Sequence, residues 1–261
     1  GQKVRFMINK KRGKKLEGRL LEVLEKSPLE KREPVCSIFP ACGGCMYQTM
    51  SYEDQLKMKA KQVKELLDTA VKNGYTVDEN GNPDYVFEGI KGSPFEFAYR
   101  NKMEFSFGDE FKDGPMTLGM HKRGSFYDIV NTPECQIVHE DFCKILTATL
   151  HYFTKKHISY HKKMQHTGYL RHLLVRRAVK TGEILVALVT SGQTENLGVT
   201  EAHTTSVSEK ELLEGWLSCL QGLQLEGTFA GILHIRNDSL ADVVQSDETT
   251  ILYGQDFFYE E

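Results

Sequence analysis

Tyr169–Thr190 reads YLRHLLVRRAVKTGEILVALVT. Two apolar, β-branched runs, Tyr169–Val179 and Ile184–Thr190, flank Lys180-Thr181-Gly182. Such runs around a short Gly-containing turn predict a β-hairpin. Outward from it, Val86–Ile90, Phe97–Phe107, Met116–His121, Phe126–Val130, Gly231–Ile235, Leu240–Val244 and Thr250–Tyr253 have the same strand character, separated by Gly, Asp and Pro. Residues 52–72, His139–Lys156 and Ser208–Leu223 instead place apolar side chains at helical spacing. With the two N-terminal runs Gln2–Ile8 and Leu16–Leu24, the count is about three helices and ten strands. Interleaving of that kind predicts an α+β fold with a largely antiparallel sheet and flanking helices.

The chain has 261 residues, enough for one or two domains. Hydrophobic residues make up 40% and charged residues 26%, which excludes a chain disordered by composition. No run approaches the ~18 apolar residues of a membrane helix. The N-terminus carries no charged-then-apolar signal pattern, so a cytoplasmic protein is expected. The six cysteines are then expected as thiols or metal ligands, not disulfides. Net charge is −3, but residues 1–35 hold eleven Lys/Arg against five Glu, a balance of +6. A basic arm on an acidic body is a mark of polyanion binding; the plainer explanation is a solvated β-ribbon. Ser27–Val35, with Pro28 and Pro34, reads as a linker.

Cys36, Cys42 and Cys45 form C-x5-C-x2-C in a Gly/Pro-rich loop. Glycines let a loop close around one point, because they carry no Cβ and accept positive φ. Thiolates so placed suit zinc or an iron–sulfur cluster, and both usually need a fourth ligand. Cys135 follows a turn, Asn131-Thr132-Pro133-Glu134, whereas Cys143 and Cys219 lie in amphipathic helices as small hydrophobes. Cys135 is therefore the expected fourth ligand. Spacing alone does not separate zinc from iron–sulfur.

Cys36-x5-Cys42-Gly43-Gly44-Cys45-x2-Gln48, with Tyr52-x2-Gln55-x3-Lys59, resembles the RNA uracil-5-methyltransferases, and among them the 23S ribosomal RNA branch with a 4Fe–4S cluster. Further matching stretches are Tyr99-Arg100-Asn101-Lys102, Gly119–Ser125 leading through Asp128-Ile129-Val130 to Cys135, Leu170–Leu173, Asn237 and Leu252-Tyr253-Gly254. The resemblance implies three parts: an OB-type TRAM barrel that binds RNA, a central α+β cluster domain, and a Rossmann-like domain that binds S-adenosylmethionine. Residues 1–26 would be the last strands of the barrel, 27–35 the linker, and 36–261 the central domain including helix 52–72. The family's nucleophilic Cys-Asn-Pro has no match, since Lys144 follows Cys143 and Leu220 follows Cys219, and no G-x-G-x-x-G occurs. The expectation is therefore a portion without the Rossmann-like domain, with no catalytic residue and inactive alone. The competing expectation is a stand-alone RNA-binding module with a structural zinc held by four cysteines.

The expected partner is 23S ribosomal RNA, ahead of tRNA, bound by a monomer away from membranes. The expected phosphate contacts are Lys10, Lys11, Arg12, Lys14 and Lys15 at a basic hairpin tip, Arg100 and Lys102 on a strand, and His121, Lys122 and Arg123 in a turn. Arg171/His172 and Arg176/Arg177 are weaker candidates, and Tyr47, Tyr99 and Tyr127 are candidates for base stacking.

Overall fold

The computed structural model describes residues 1–13, 15–72, 77–81, 85–199, 206–240 and 247–261. The chain divides into two compact units, one of residues 1–35 and 47–94, the other of residues 36–46 and 95–261.

The first unit holds β1 (Lys3–Arg12), β2 (Lys15–Glu25) and α1 (Tyr52–Lys72). β1 and β2 pair antiparallel as a two-stranded sheet with exposed side chains on both faces. Ser51 Oγ starts α1 by accepting the Asp54 N–H at 3.1 Å. Glu53 and Asp54 then meet the positive end of the helix dipole.

The second unit is built on one seven-stranded sheet. Its strands are β3 (Lys102–Asp109), β4 (Met116–His121), β5 (Ile129–Asn131), β6 (Leu170–Arg177), β7 (Glu183–Thr190), β8 (Thr228–Arg236) and β9 (Glu248–Gly254). The order across the sheet is β5-β4-β3-β6-β7-β8-β9. Helices α2 (Glu140–Lys155) and α3 (Glu209–Gln221) are packed on the core of Phe105, Phe142, Phe153, Tyr169 and Trp216. Trp216 is fully buried, and its indole N–H donates to Thr149 Oγ1 at 3.1 Å, so the one polar atom of the largest core side chain is satisfied. α3 starts on a capping box between Ser208 and Glu211.

The fold class needs correcting. The sheet is mixed: β7 and β8 pair in parallel, joined through α3, because a helix returns the chain to the end where the previous strand began. Reading the strands one by one missed this βαβ unit. The N-terminal strands form a two-stranded ribbon among the described residues. Val86–Ile90 and Phe97–Asn101 form no strand, and the strand expected over Phe126–Val130 begins only at Ile129. Most of the strand expected at Leu240–Val244 lies outside the described residues, as does Lys14.

Candidate metal centre and nucleic-acid interface

The cysteine loop folds through tight turns: Cys36 O accepts the Phe39 N–H, and Ile38 O accepts from Ala41 and Cys42. It is stitched to the β4–β5 turn. Gly43 N–H donates to His121 O at 2.9 Å, Arg123 N–H to Ala41 O at 2.7 Å, and Cys42 bridges to Lys122. The Arg123 guanidinium donates to Cys45 O and lies 5.6 Å from the Phe39 ring centre. A Cβ on Gly43 would sit 3.0 Å from His121 O, so glycine permits the close approach. Neither Gly43 nor Gly44 has positive φ, so the bare Cα, and not backbone handedness, is what the loop uses.

The same turn leads through β5 to Cys135. The loop and that strand end thus place Cys36, Cys42, Cys45 and Cys135 in the second unit. All four are of intermediate exposure and none forms a disulfide. Cys135 feels Cys42 and Cys45, and Cys42 feels Cys45 and Cys36. Burial pushes the Cys135 thiol up to about 11, the Ile137 N–H opposes this, and the charges of Cys143, Cys45 and Cys42 raise it further. Burial likewise pushes Cys42 up; the Gly44 N–H, 3.3 Å from its sulfur, opposes, and Cys45 and Cys36 add to the rise.

A bound metal or cluster would remove that penalty by replacing the thiol proton. Soft donors with N–H groups on two of the sulfurs suit zinc or an iron–sulfur cluster in their chemistry. Their arrangement separates neither: among the described residues no group of three or more His, Cys, Asp or Glu is arranged to hold a metal ion. Cys143 donates to Cys135 O at 3.7 Å, and with Cys219 it lines a groove of about 920 Å³ beside α2 and α3.

The basic candidates separate by environment. Lys10, Lys11, Arg12 and Lys15 lie exposed at the β1–β2 tip, where Arg12 faces Lys15 in register and meets Glu17 at 3.8 Å. Arg100 is exposed before β3, bridging to Val138, and Lys102 opens β3 opposite Arg176. His121 ends β4, and Lys122 meets Glu110 at 3.8 Å. Arg123 is engaged with the cysteine loop. Arg171 and His172 are only 5% and 3% exposed, and Arg171 holds Asn237 O and Ser239 O at 2.7 and 2.8 Å, so these two are fold residues. Arg177 is an ion-pair partner of buried Asp141 at 3.3 Å. Tyr127, a stacking candidate from the sequence, is exposed and has Phe126 beside it; sequence reasoning missed Phe126, because it read only as the first residue of a strand.

No family model matches the chain. It is 42% identical over its whole length to an uncharacterised RNA methyltransferase of Clostridium acetobutylicum, covering 51% of that protein. Relatives of the same description from Caldanaerobacter subterraneus and Clostridium tetani are 39% and 40% identical, again over the whole chain and 52% of each relative. The chain thus spans about half the length of the curated relatives it matches. A solved structure of Pyrococcus abyssi tRNA (uracil-54, C5)-methyltransferase with S-adenosyl-L-homocysteine superposes with a TM-score of 0.59. It has 21% identity and covers 98% of this chain and 49% of that one, a likeness of fold.

These matches overturn three expectations. A stand-alone zinc module is excluded as the family reading, since the relatives that align from end to end are methyltransferases. The expectation of an inactive RNA-binding and iron–sulfur portion is corrected on the same alignments, in which the relatives along the whole of this chain are RNA methyltransferases. The expected fold class is corrected as well: the sheet that superposes on this solved structure over 98% of the chain is a mixed one of seven strands. Across its whole length, the homologues of this chain are RNA methyltransferases.

Proposed function

We propose that the chain serves S-adenosylmethionine-dependent methylation of RNA at C5 of a uridine, with 23S ribosomal RNA preferred to tRNA, and that Cys36, Cys42, Cys45 and Cys135 hold a 4Fe–4S cluster. The end-to-end alignment with RNA methyltransferases carries the enzymatic part of this reading. The cysteine loop stitched to the β4–β5 turn supports the cluster. Its role there is structural: a cluster on these thiolates ties the loop to the strand end near Cys135. The exposed cations Lys10, Lys11, Arg12 and Lys15, together with the expected Lys14, and Arg100 and Lys102 supply phosphate contacts, which position RNA without reading its sequence. RNA as substrate places the work in the cytoplasm; no helix among the described residues is long and apolar enough to cross a membrane.

Two measurements on anaerobically purified protein test this. Iron and sulfide at about four each per chain, with broad visible absorption, are expected; one zinc without iron would overturn the cluster. Transfer of tritiated methyl from S-adenosylmethionine to 23S transcripts, released as 5-methyluridine, is expected to exceed transfer to tRNA. Label in another nucleoside would overturn the uracil-5 reading, and equal or greater transfer to tRNA the ribosomal one.

A further inference from the structure

At the β3–β4 end of the second unit lies a cleft of about 330 Å³. It is walled by the end of β3, the β3–β4 turn, Tyr127 and Asp128, and the turn over residues 160–165. That volume is at the low end of small-ligand sites, which run from about 300 to 1,000 Å³, and suits one flat group. An unusual surface flanks it. Phe126 is 69% and Tyr127 53% exposed, their rings edge to face at 5.6 Å. The Lys163 ammonium stands 5.5 Å from the Phe126 ring centre. Stacking rings interleaved with cations are how single-stranded nucleic acid is held.

The cleft's polar lining includes three carboxylates. Asp109 accepts the Tyr160 hydroxyl at 2.8 Å, and Asp113 accepts Lys162 at 3.3 Å. Burial first, and then Asp109, push the Tyr160 hydroxyl far above its ordinary pKa, so it stays a donor and fixes that carboxylate. Asp128 lines the same cleft, and a carboxylate accepts hydrogen bonds and donates none. Lys112, Lys162 and Lys163 line it too; with Lys162 drawn to Asp113 and Lys163 to the Phe126 ring, the Asp128 carboxylate is the acceptor that favours a donor-bearing partner. The amines of adenine, cytosine and guanine are such donors, whereas uracil offers one N–H between two carbonyls that carboxylates repel. Lys162 and Lys163 flank the opening for the phosphates on either side.

We propose that this cleft takes one unstacked nucleobase of the bound RNA strand, an amine-bearing base in preference to uracil. The inference rests on the RNA reading above and deepens it, since the base held here is distinct from the uracil that is methylated. Binding of fluorescein-labelled rA5, rC5 and rU5 to the full chain, followed by anisotropy beside a longer ribosomal RNA fragment, tests it. rA5 and rC5 are expected to bind more tightly than rU5. Tyr127→Ala, checked as folded by circular dichroism, should weaken rA5 about 5- to 150-fold, the range for losing one stacked base. Asp128→Asn, which keeps the shape of the wall, should narrow the gap between rA5 and rU5. A 2-aminopurine in the oligonucleotide should be quenched on binding, and less so in Tyr127→Ala. Binding of the long RNA with no base preference and no effect of Tyr127→Ala would overturn the cleft and leave the RNA reading standing. Failure of every RNA to bind would overturn both.

Discussion

The Arg123 guanidinium donates to the backbone carbonyl of Cys45, across a gap of 78 positions in sequence. A residue whose sequence context suggested a phosphate contact thus braces the cysteine loop. Its backbone N–H holds Ala41 O in the same direction, and its guanidinium faces the Phe39 ring. Groups that orient metal ligands typically contribute 10- to 100-fold to metal affinity. Arg123→Ala is therefore expected to lower iron retention against a chelator by that order. Arg123→Lys should recover only part, because an ammonium lacks the planar fork. Chelator titration of anaerobic protein measures both, and unchanged retention in Arg123→Ala would remove Arg123 from the brace.

The fourth ligand can be separated from its neighbour. Cys143 lies beside Cys135, donating to its carbonyl. Cys135 alone couples to both Cys42 and Cys45. Cys135→Ser should abolish cluster assembly, and Cys143→Ser should leave the iron content near that of the unaltered protein. The opposite pattern in iron analysis would make Cys143 the ligand.

The proposed cluster site also depends on a glycine far in sequence from its cysteines. Gly119 of β4 pairs with Asn131 of β5, and a Cβ there would stand 2.1 Å from Val130 O and 3.0 Å from Thr132 Oγ1. Those atoms are backbone or fully buried, so the strand itself must move. Gly119→Ala should cost about 1–3 kcal/mol, the range for overpacked interiors. Because β5 carries the chain to Cys135, iron retention should fall with it. A melt of Gly119→Ala that overlays the unaltered protein would show that β5 moves freely.

Helices were the most legible elements. Ser51 with Asp54, and the spacing over residues 52–72, match α1 at Tyr52–Lys72. Expected helices at His139–Lys156 and Ser208–Leu223 appear as Glu140–Lys155 and Glu209–Gln221. A helix repeats locally, so its apolar period and caps are visible in one window of sequence. The parallel β7–β8 pairing was not legible, because strand direction is decided by where α3 packs and not by either strand's residues. The site divides in the same way. Cysteine spacing pointed to the loop and Tyr127 stood among the stacking candidates, while Arg123 as the loop's brace and the Phe126 ring beside Tyr127 emerged only once β4 and β5 were paired.

Asp141 gives the second unit an acid-sensitive joint. It is 1% exposed in the first turn of α2 and accepts the N–H groups of Glu226 and Gly227 at 2.9 and 3.0 Å, just before β8. Arg177 at the end of β6 adds a contact at 3.3 Å. Burial pushes the Asp141 pKa up, but the two backbone N–H groups, the His139 charge and Arg177 together hold it below its ordinary 3.8. A depressed carboxylate stabilises the fold above its unfolded pKa. That contribution fades as pH falls below about 4 and is lost as pH falls through the folded value. Asp141→Asn keeps the shape and removes the charge, and should cost about 1.5–3 kcal/mol at pH 7, the range for hydrogen bonds to a charged group. The chain's single tryptophan, Trp216, is buried in this unit's core, so its fluorescence reads the unit directly. Melts should separate the two proteins at pH 7 and draw together toward pH 3. A gap of constant size across that window would mean that the Asp141 charge contributes nothing, and that α2 is held to β6 and β8 by packing alone.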